Sequence, residues 1–390
     1  MKQPKPLSGK GNAYRIFFAA AALQAIISPL LLLFFRYGLL EPPRLLTLGL
    51  WHAQEMIFGY VLLVIAGYLV TQISPARLFG LLLLWLMGRL IWLMDAGLPA
   101  AMVALVAAAF PLALSWLVST KFKAAKRLRN QMFSIIFWCL GSLATIFYAL
   151  IYIQNFVAAY QMIYILIYLV TLFIIIMGGR LIPPATIGAL REQGKDVRIP
   201  FQPTYETICM ALALLLMLFE LLPIAPFWQA IPALALSVVL LLRLSLWRSL
   251  EIRHALTLWP LHLGYFWLAA GFALLACARL DIVLSSQDAL HAITLGGIGV
   301  ITLTMLIRVS GIRGTQDQVN QAVLWGIQSA LFIALAFRLA AYSAQAYSEY
   351  LLWLSAISWA LAFTLFLYSF YPACQLIPDS AGRKTTKPKE

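Results

Sequence analysis

The sequence predicts an all-α polytopic transmembrane helix bundle of about twelve spans with the N- and C-termini cytoplasmic, and three observations carry that prediction. Of the 390 residues 63% are hydrophobic and only 11% are charged, which is more apolar surface than a water-soluble fold of this length can hide. The apolar residues form continuous runs, such as 211–219, 237–242 and 363–370. Alternation would mark a membrane β-barrel, so continuity leaves the helix bundle as the way to pair every backbone group in hydrocarbon. The formal charge of +14 sits between these runs and at the termini, where it reads as a topology signal and not as a nucleic-acid footprint.

A crossing needs about 20 apolar residues. The first, 14–35, follows Lys2, Lys5, Lys10 and Arg15 with no small-residue cleavage site behind it, so it reads as a span and not as a removable signal. Spans 47–71, 77–95, 98–119, 131–152 and 157–178 complete a first half, 1–178. The stretch 179–203 contains Pro183, Pro184, Gly194 and Pro200 and reads as a cytoplasmic linker. Spans 204–222, 225–244, 257–279, 287–308, 320–342 and 347–371 make the second half, 204–371, and 372–390 is a basic tail. The cations support this count. With the N-terminus inside, Arg77, Lys121 to Arg129, Arg180 to Arg198, Arg248, Arg253, Arg308, Arg313 and the tail all face the cytoplasm, and few beyond Arg36, Arg44 and Arg279 face outward. Cys139, Cys209, Cys277 and Cys374 lie in or beside different runs without CxxC spacing and read as packing thiols, and no CxxCH attaches a c-type haem.

Ionisable groups inside a bilayer cost a few kcal/mol each, so they are the functional candidates. His52, Glu55 and Met56 open span two at i, i+3 and i+4, which places an imidazole, a carboxylate and a thioether on one helical face. Imidazole with thioether suits haem iron or copper, and the carboxylate suits orientation of the ring; a helix-terminal pair in interfacial water with Met56 packing is the alternative. Asp288, one turn before His291 at the start of span ten, is placed to fix the tautomer of that ring. Gly296, Gly297 and Gly299 then admit either a helix or a flat cofactor close to the backbone. Arg89 in span three can pair with Glu55, Asp95 or an acidic cofactor group, or snorkel. His262, in the first turn of span nine after Pro260, lies at the inner end with Arg180 and Arg308, where propionates or another anion fit. Depth separates His52 and His291 from His262, so one metal bound by all three is not expected, and two sites, or one site and a structural histidine, follow.

These fragments resemble the NnrS family of bacterial membrane proteins. The matching pieces are Trp51 to Gly59 with Ile65 to Leu69, Gly178 to Pro183, Leu261 to Tyr265, Ala289 to Ala292 and Ile307 to Ser310, in the family's order along nearly the whole chain. The resemblance implies a multi-pass protein of the bacterial inner (plasma) membrane that answers nitric oxide or nitrosative stress, with haem, expected as b-type, and copper. It implies His52, His291 and His262 as the cofactor-associated histidines, with Arg180 and Arg308 as family-typical polar positions. The residue chemistry adds Met56 as a candidate metal ligand, Arg89 as a candidate cofactor contact, and Glu55, Asp288 and Tyr265 as candidate groups orienting the ligands. Gln54 stands where members usually carry a second histidine. Residues two apart on a helix point roughly 200° from each other, so that departure bears on copper and not on a haem built on His52. The partners implied are the lipid bilayer and nitric oxide or another small ligand, with a quinone or other electron donor for a redox role and no nucleic acid. A proton-coupled transporter using Glu55, Arg89 and His52 is the alternative function, and a quinone-linked electron carrier is a third.

Overall fold

The computed structural model describes residues 13–70, 72–93, 97–123, 128–282, 284–313 and 320–370. Asp95, Cys374 and the basic tail lie outside them. Twelve helices follow in order: α1 (Ala13–Arg36), α2 (Leu48–Leu69), α3 (Pro75–Leu90), α4 (Ala100–Lys123), α5 (Leu128–Tyr152), α6 (Phe156–Glu192), α7 (Pro203–Leu221), α8 (Pro226–Ser245), α9 (Trp259–Arg279), α10 (Ser286–His291 continuing through Val300–Arg313), α11 (Gln321–Ser343) and α12 (Ser348–Phe370). No strand occurs among the described residues.

Each predicted span has its helix, and eleven helices are long and apolar enough to cross a membrane. The exception, α3, ends at Leu90 after 16 residues and falls short of the roughly 20 that a perpendicular crossing needs. The starts are chemically marked. Thr47, Ser74, Asn155, Ser285 and Asn320 accept from backbone N–H groups in the first turns of α2, α3, α6, α10 and α11. Proline stands at the first positions of α3, α7, α8 and α9, where its missing N–H has no helical partner to lose.

The expected linker 179–203 is helical as far as Glu192, because α6 runs through Pro183 and Pro184 without ending. Two prolines remove two backbone donors, yet the helix on either side is held: Ile182, Thr186 and Leu190 are buried, and Thr186 is bonded to α9. Tertiary packing therefore overrides the local stop signal.

The bundle has an inner set. In α2, α6 and α10, 72%, 78% and 78% of the spanning residues are buried, against 61% in α9 and 28–44% in the others. These are the second, sixth and tenth helices, so every fourth element is central. Two of them share an irregularity. α2 winds as a π-helix over Glu55–Val61 and α10 over Ala292–Gly299, each directly after a short α-helical collar that carries a histidine. Gly296, Gly297 and Gly299 of α10 are packing positions. A Cβ on Gly296 would sit 2.9 Å from Leu335, and one on Gly299 would sit 2.7 Å from Trp359, so side chains of α11 and α12 fill the space.

Candidate functional site

The collars of α2 and α10 bring His52 and His291 together. Their rings lie with centroids 6.4 Å apart and planes within 9° of parallel, and both side chains are half-buried. Nδ1 of His291 donates to the carbonyl of Gln287 at 2.9 Å, which fixes the proton there and leaves Nε2 as the free acceptor. Nδ1 of His52 is buried with no hydrogen-bond partner.

The neighbours differ from the expected ones. Asp288 does not orient His291. Its two oxygens accept from Ser285 Oγ at 2.5 Å and from Arg338 Nη1 at 2.9 Å, and the backbone carbonyl one turn earlier holds the ring instead. Arg338, from α11, stands close enough for its charge to act on both imidazoles. The sequence signal for it was a lone cation inside a predicted span. Met56 packs against the core, so His291 and not the thioether is opposite His52.

Glu55 also turns away from His52. It is 3% exposed and accepts from Gln24 Nε2 and Gln54 Nε2, both at 2.6 Å, and from Arg89 Nη1 at 3.1 Å. Arg89 donates as well to Gln54 Oε1 at 2.9 Å and to Tyr148 OH at 3.3 Å, and Tyr148 donates to Gln54 Oε1 at 2.9 Å. The expected pairing of Arg89 with Glu55 is therefore present, as a buried network joining α1, α2, α3 and α5. Gln54 is its hub. The i, i+3, i+4 face read from regular winding fails here because the π stretch starting at Glu55 has i→i+5 bonds and more residues per turn.

His262 is elsewhere. Helix α6 acts as a ruler: Tyr160 bonds Thr47 at the mouth of α2 at 2.8 Å, whereas Thr186 bonds His262 Nε2 at 2.9 Å. At 1.5 Å per residue these contacts lie roughly 40 Å apart. The other nitrogen of His262 meets Ser249 Oγ at 2.8 Å, so both ring nitrogens are engaged by hydroxyls, as in a structural histidine. Arg308 donates to the Thr257 carbonyl at 3.1 Å, and the guanidinium of Arg180 lies 4.6 Å over the Phe133 ring, so both occupy that half of the bundle without touching His262. On the turn that carries Ser249, the Lys195 hydrogen bond and then the Arg248 charge hold the exposed Glu251 carboxyl below its usual range.

Tyr265 belongs to a cluster that sequence reasoning missed. Arg243, 2% exposed, donates to Glu206 at 3.0 Å, to Tyr265 OH at 3.0 Å and to the Ile175 carbonyl at 3.1 Å. A second such pair, Arg279 with Glu220 at 2.5 Å, takes in Tyr168 OH at 3.1 Å. All four charged residues fall inside or at the edge of predicted spans, which is the signal that could have found them.

A family model described as NnrS protein matches residues 11–375. The chain belongs to the NnrS family. No curated protein and no solved structure gives a match. For this NnrS chain the geometry reduces three candidate histidines to one facing pair. Among the described residues no group of three or more His, Cys, Asp or Glu is placed to hold a metal ion.

Proposed function

We propose that this NnrS-family protein is a haem protein of the bacterial inner membrane that acts in the response to nitric oxide, with His52 and His291 as the residues that would hold one b-type haem. The 6.4 Å between parallel imidazoles carries this reading. The parallel rings stand too far apart for a direct N–H···N bond and leave room for a metal between them. Two protein ligands and no third suit a metal whose remaining positions a macrocycle fills, and the buried, unpartnered Nδ1 and the free Nε2 acceptor are consistent with rings awaiting a partner. Arg338 and Asp288 at the rim would set the local charge.

Bound there, haem would supply one-electron redox chemistry. Held by both His52 and His291, the haem would suit electron carriage. Copper does not fit beside His52, because Gln54 is committed to Glu55, Arg89 and Tyr148 and offers no imidazole. Proton-coupled transport through Glu55, Arg89 and His52 has less support, since the carboxylate and guanidinium are tied to each other and His52 stands outside their network. Placement of both termini on the cytoplasmic side rests on the distribution of cations.

The test is the visible and electron paramagnetic resonance spectrum of protein purified in mild detergent from haem-replete cells. A low-spin six-coordinate haem is expected, with His52→Ala and His291→Ala each abolishing the low-spin signature and His262→Ala retaining it. Iron-free, colourless protein overturns the proposal, as does a low-spin spectrum that survives both replacements.

A further inference from the structure

The three most deeply buried helices do not close on one another along their whole length. A cavity of about 70 Å³ lies between α2, α6 and α10, with Leu261 of α9 on one side. It begins at Val61, the last residue of the π stretch of α2, and at Ile301, just beyond that of α10. Along α6 it extends from Val170 to Ile182, a rise of roughly 18 Å, so the space is a narrow slot. Val61, Val64 and Val170 are among its walls, short β-branched side chains whose stiff χ1 keeps them from turning to fill the gap.

No polar atom faces this space. The hydroxyl of Thr302, a wall residue, is bonded to Tyr60 OH at 2.7 Å and donates to the Ile298 carbonyl at 2.6 Å. A buried water makes about three hydrogen bonds, and the slot offers none, so water is a poor occupant. Size limits the alternatives. A dry cavity lined by Leu, Ile and Phe takes benzene at about 150 Å³, and this one has about half that room, too little for an aromatic ring or a lipid chain. Val64, Val170, Ile182 and Leu261 are buried, whereas Tyr68, Met177, Leu181 and Met305 are half-buried, so the slot opens toward the end of the bundle that carries His262. The two methionines at that mouth are unbranched and adapt readily to a passing molecule.

We infer that this slot binds an uncharged diatomic gas taken up from the bilayer. Such a molecule dissolves in hydrocarbon, needs no hydrogen bond, and gives the walls the dispersion contacts that an empty space withholds. The inference goes beyond the haem reading, because neither histidine of the pair lines the slot, although Val61 and Ile301 stand on the same two helices as His52 and His291. Binding requires no haem.

The probe is xenon, inert and small enough for the space. Xenon NMR is recorded on the full chain in phosphatidylcholine nanodiscs, with empty nanodiscs as the blank and a thermal melt of every variant. A discrete bound resonance that saturates with xenon pressure is expected, and added dioxygen should reduce its intensity. Val64→Phe, which fills the slot, should abolish it. Val64→Ile with Val170→Ile adds only two methyl groups' worth of bulk and should weaken binding about tenfold, which keeps the test decisive if the larger change does not fold. Phe173→Ala, which enlarges the slot, should admit benzene, and the wild type should not. No resonance beyond that of empty nanodiscs, or one of equal strength in the filled variants, overturns the inference. So does a wild type that takes benzene as readily as xenon, or a signal that appears only after delipidation, which identifies an acyl chain as the occupant. A colourless protein that still binds xenon overturns the haem reading alone, and a haem-loaded protein that does not bind it overturns this one alone.

Discussion

Removing Arg89 strands a carboxylate in the interior, and the consequence can be worked out. Glu55 and Arg89 have side chains 4% and 6% exposed, with the guanidinium 3.1 Å from the carboxylate. In Arg89→Met the amides of Gln24 and Gln54 still donate, but no cation remains in the network. Breaking a buried pair from one side costs about 3–5 kcal/mol. Protonation sets a ceiling, because neutralising a carboxylic acid of ordinary pKa at pH 7 costs about 3.7 kcal/mol. At pH 5 the same ceiling falls to about 1 kcal/mol. With an unfolding entropy near 0.8 kcal/mol/K for a chain of this length, Arg89→Met should lower Tm by about 4–5 °C at pH 7 and by about 1 °C at pH 5. Glu55→Gln combined with Arg89→Met should recover most of the loss at pH 7, since neither a charge nor a lone acceptor is then stranded. The assay is a detergent melt followed by fluorescence-detected size exclusion at the two pH values. A deficit of Arg89→Met that is the same at both, or that the second change deepens, would refute the reasoning.

His262→Ala should lower stability by about 2 kcal/mol, because it leaves the Thr186 and Ser249 hydroxyls without their ring, while the visible spectrum stays that of the wild type. Thermal melts read against spectra of the same samples check it. Gly179→Ala should be more damaging. A Cβ there meets the Arg243 guanidinium, 2.8 Å from Cζ and 3.2 Å from Glu206 Oε2, so the pair must part at a cost of about 3 kcal/mol or more, and Arg243→Met with Glu206→Gln in the same chain, which leaves no buried charge, should recover most of the loss in Tm.

Most of the fold was legible because hydrocarbon imposes a length rule on apolar runs, and the twelve predicted spans each carry a helix. The pairing of His52 with His291 was legible for a related reason: depth follows from span order, and both open even-numbered spans. The details that escaped depend on contacts distant in sequence. Nothing in residues 55–61 announces π winding, so the face shared by His52, Glu55 and Met56 was drawn with the wrong period. Pro183 and Pro184 read as a stop, and only the burial of Thr186 against His262 explains why α6 continues. Asp288 was assigned to its near neighbour His291, whereas the stronger partner, Arg338, arrives from another helix. Arg243 and Glu206 were not singled out, although a guanidinium within a span predicts a carboxylate facing it.

The wide-wound turns beneath the two collars have a mechanical consequence. Below them, close glycine contacts such as Gly264 against Ile301 of α10 and Gly67 of α2 against Phe18 hold the two shafts to their neighbours. A π turn holds one residue more than an α turn, and rewinding it would shift only the collar above, by one residue's rise of about 1.5 Å with a rotation of about 100°. Each imidazole is therefore mounted on its own adjustable washer: the gap between the rings can be trimmed from either side while the rest of the bundle stays bolted in place.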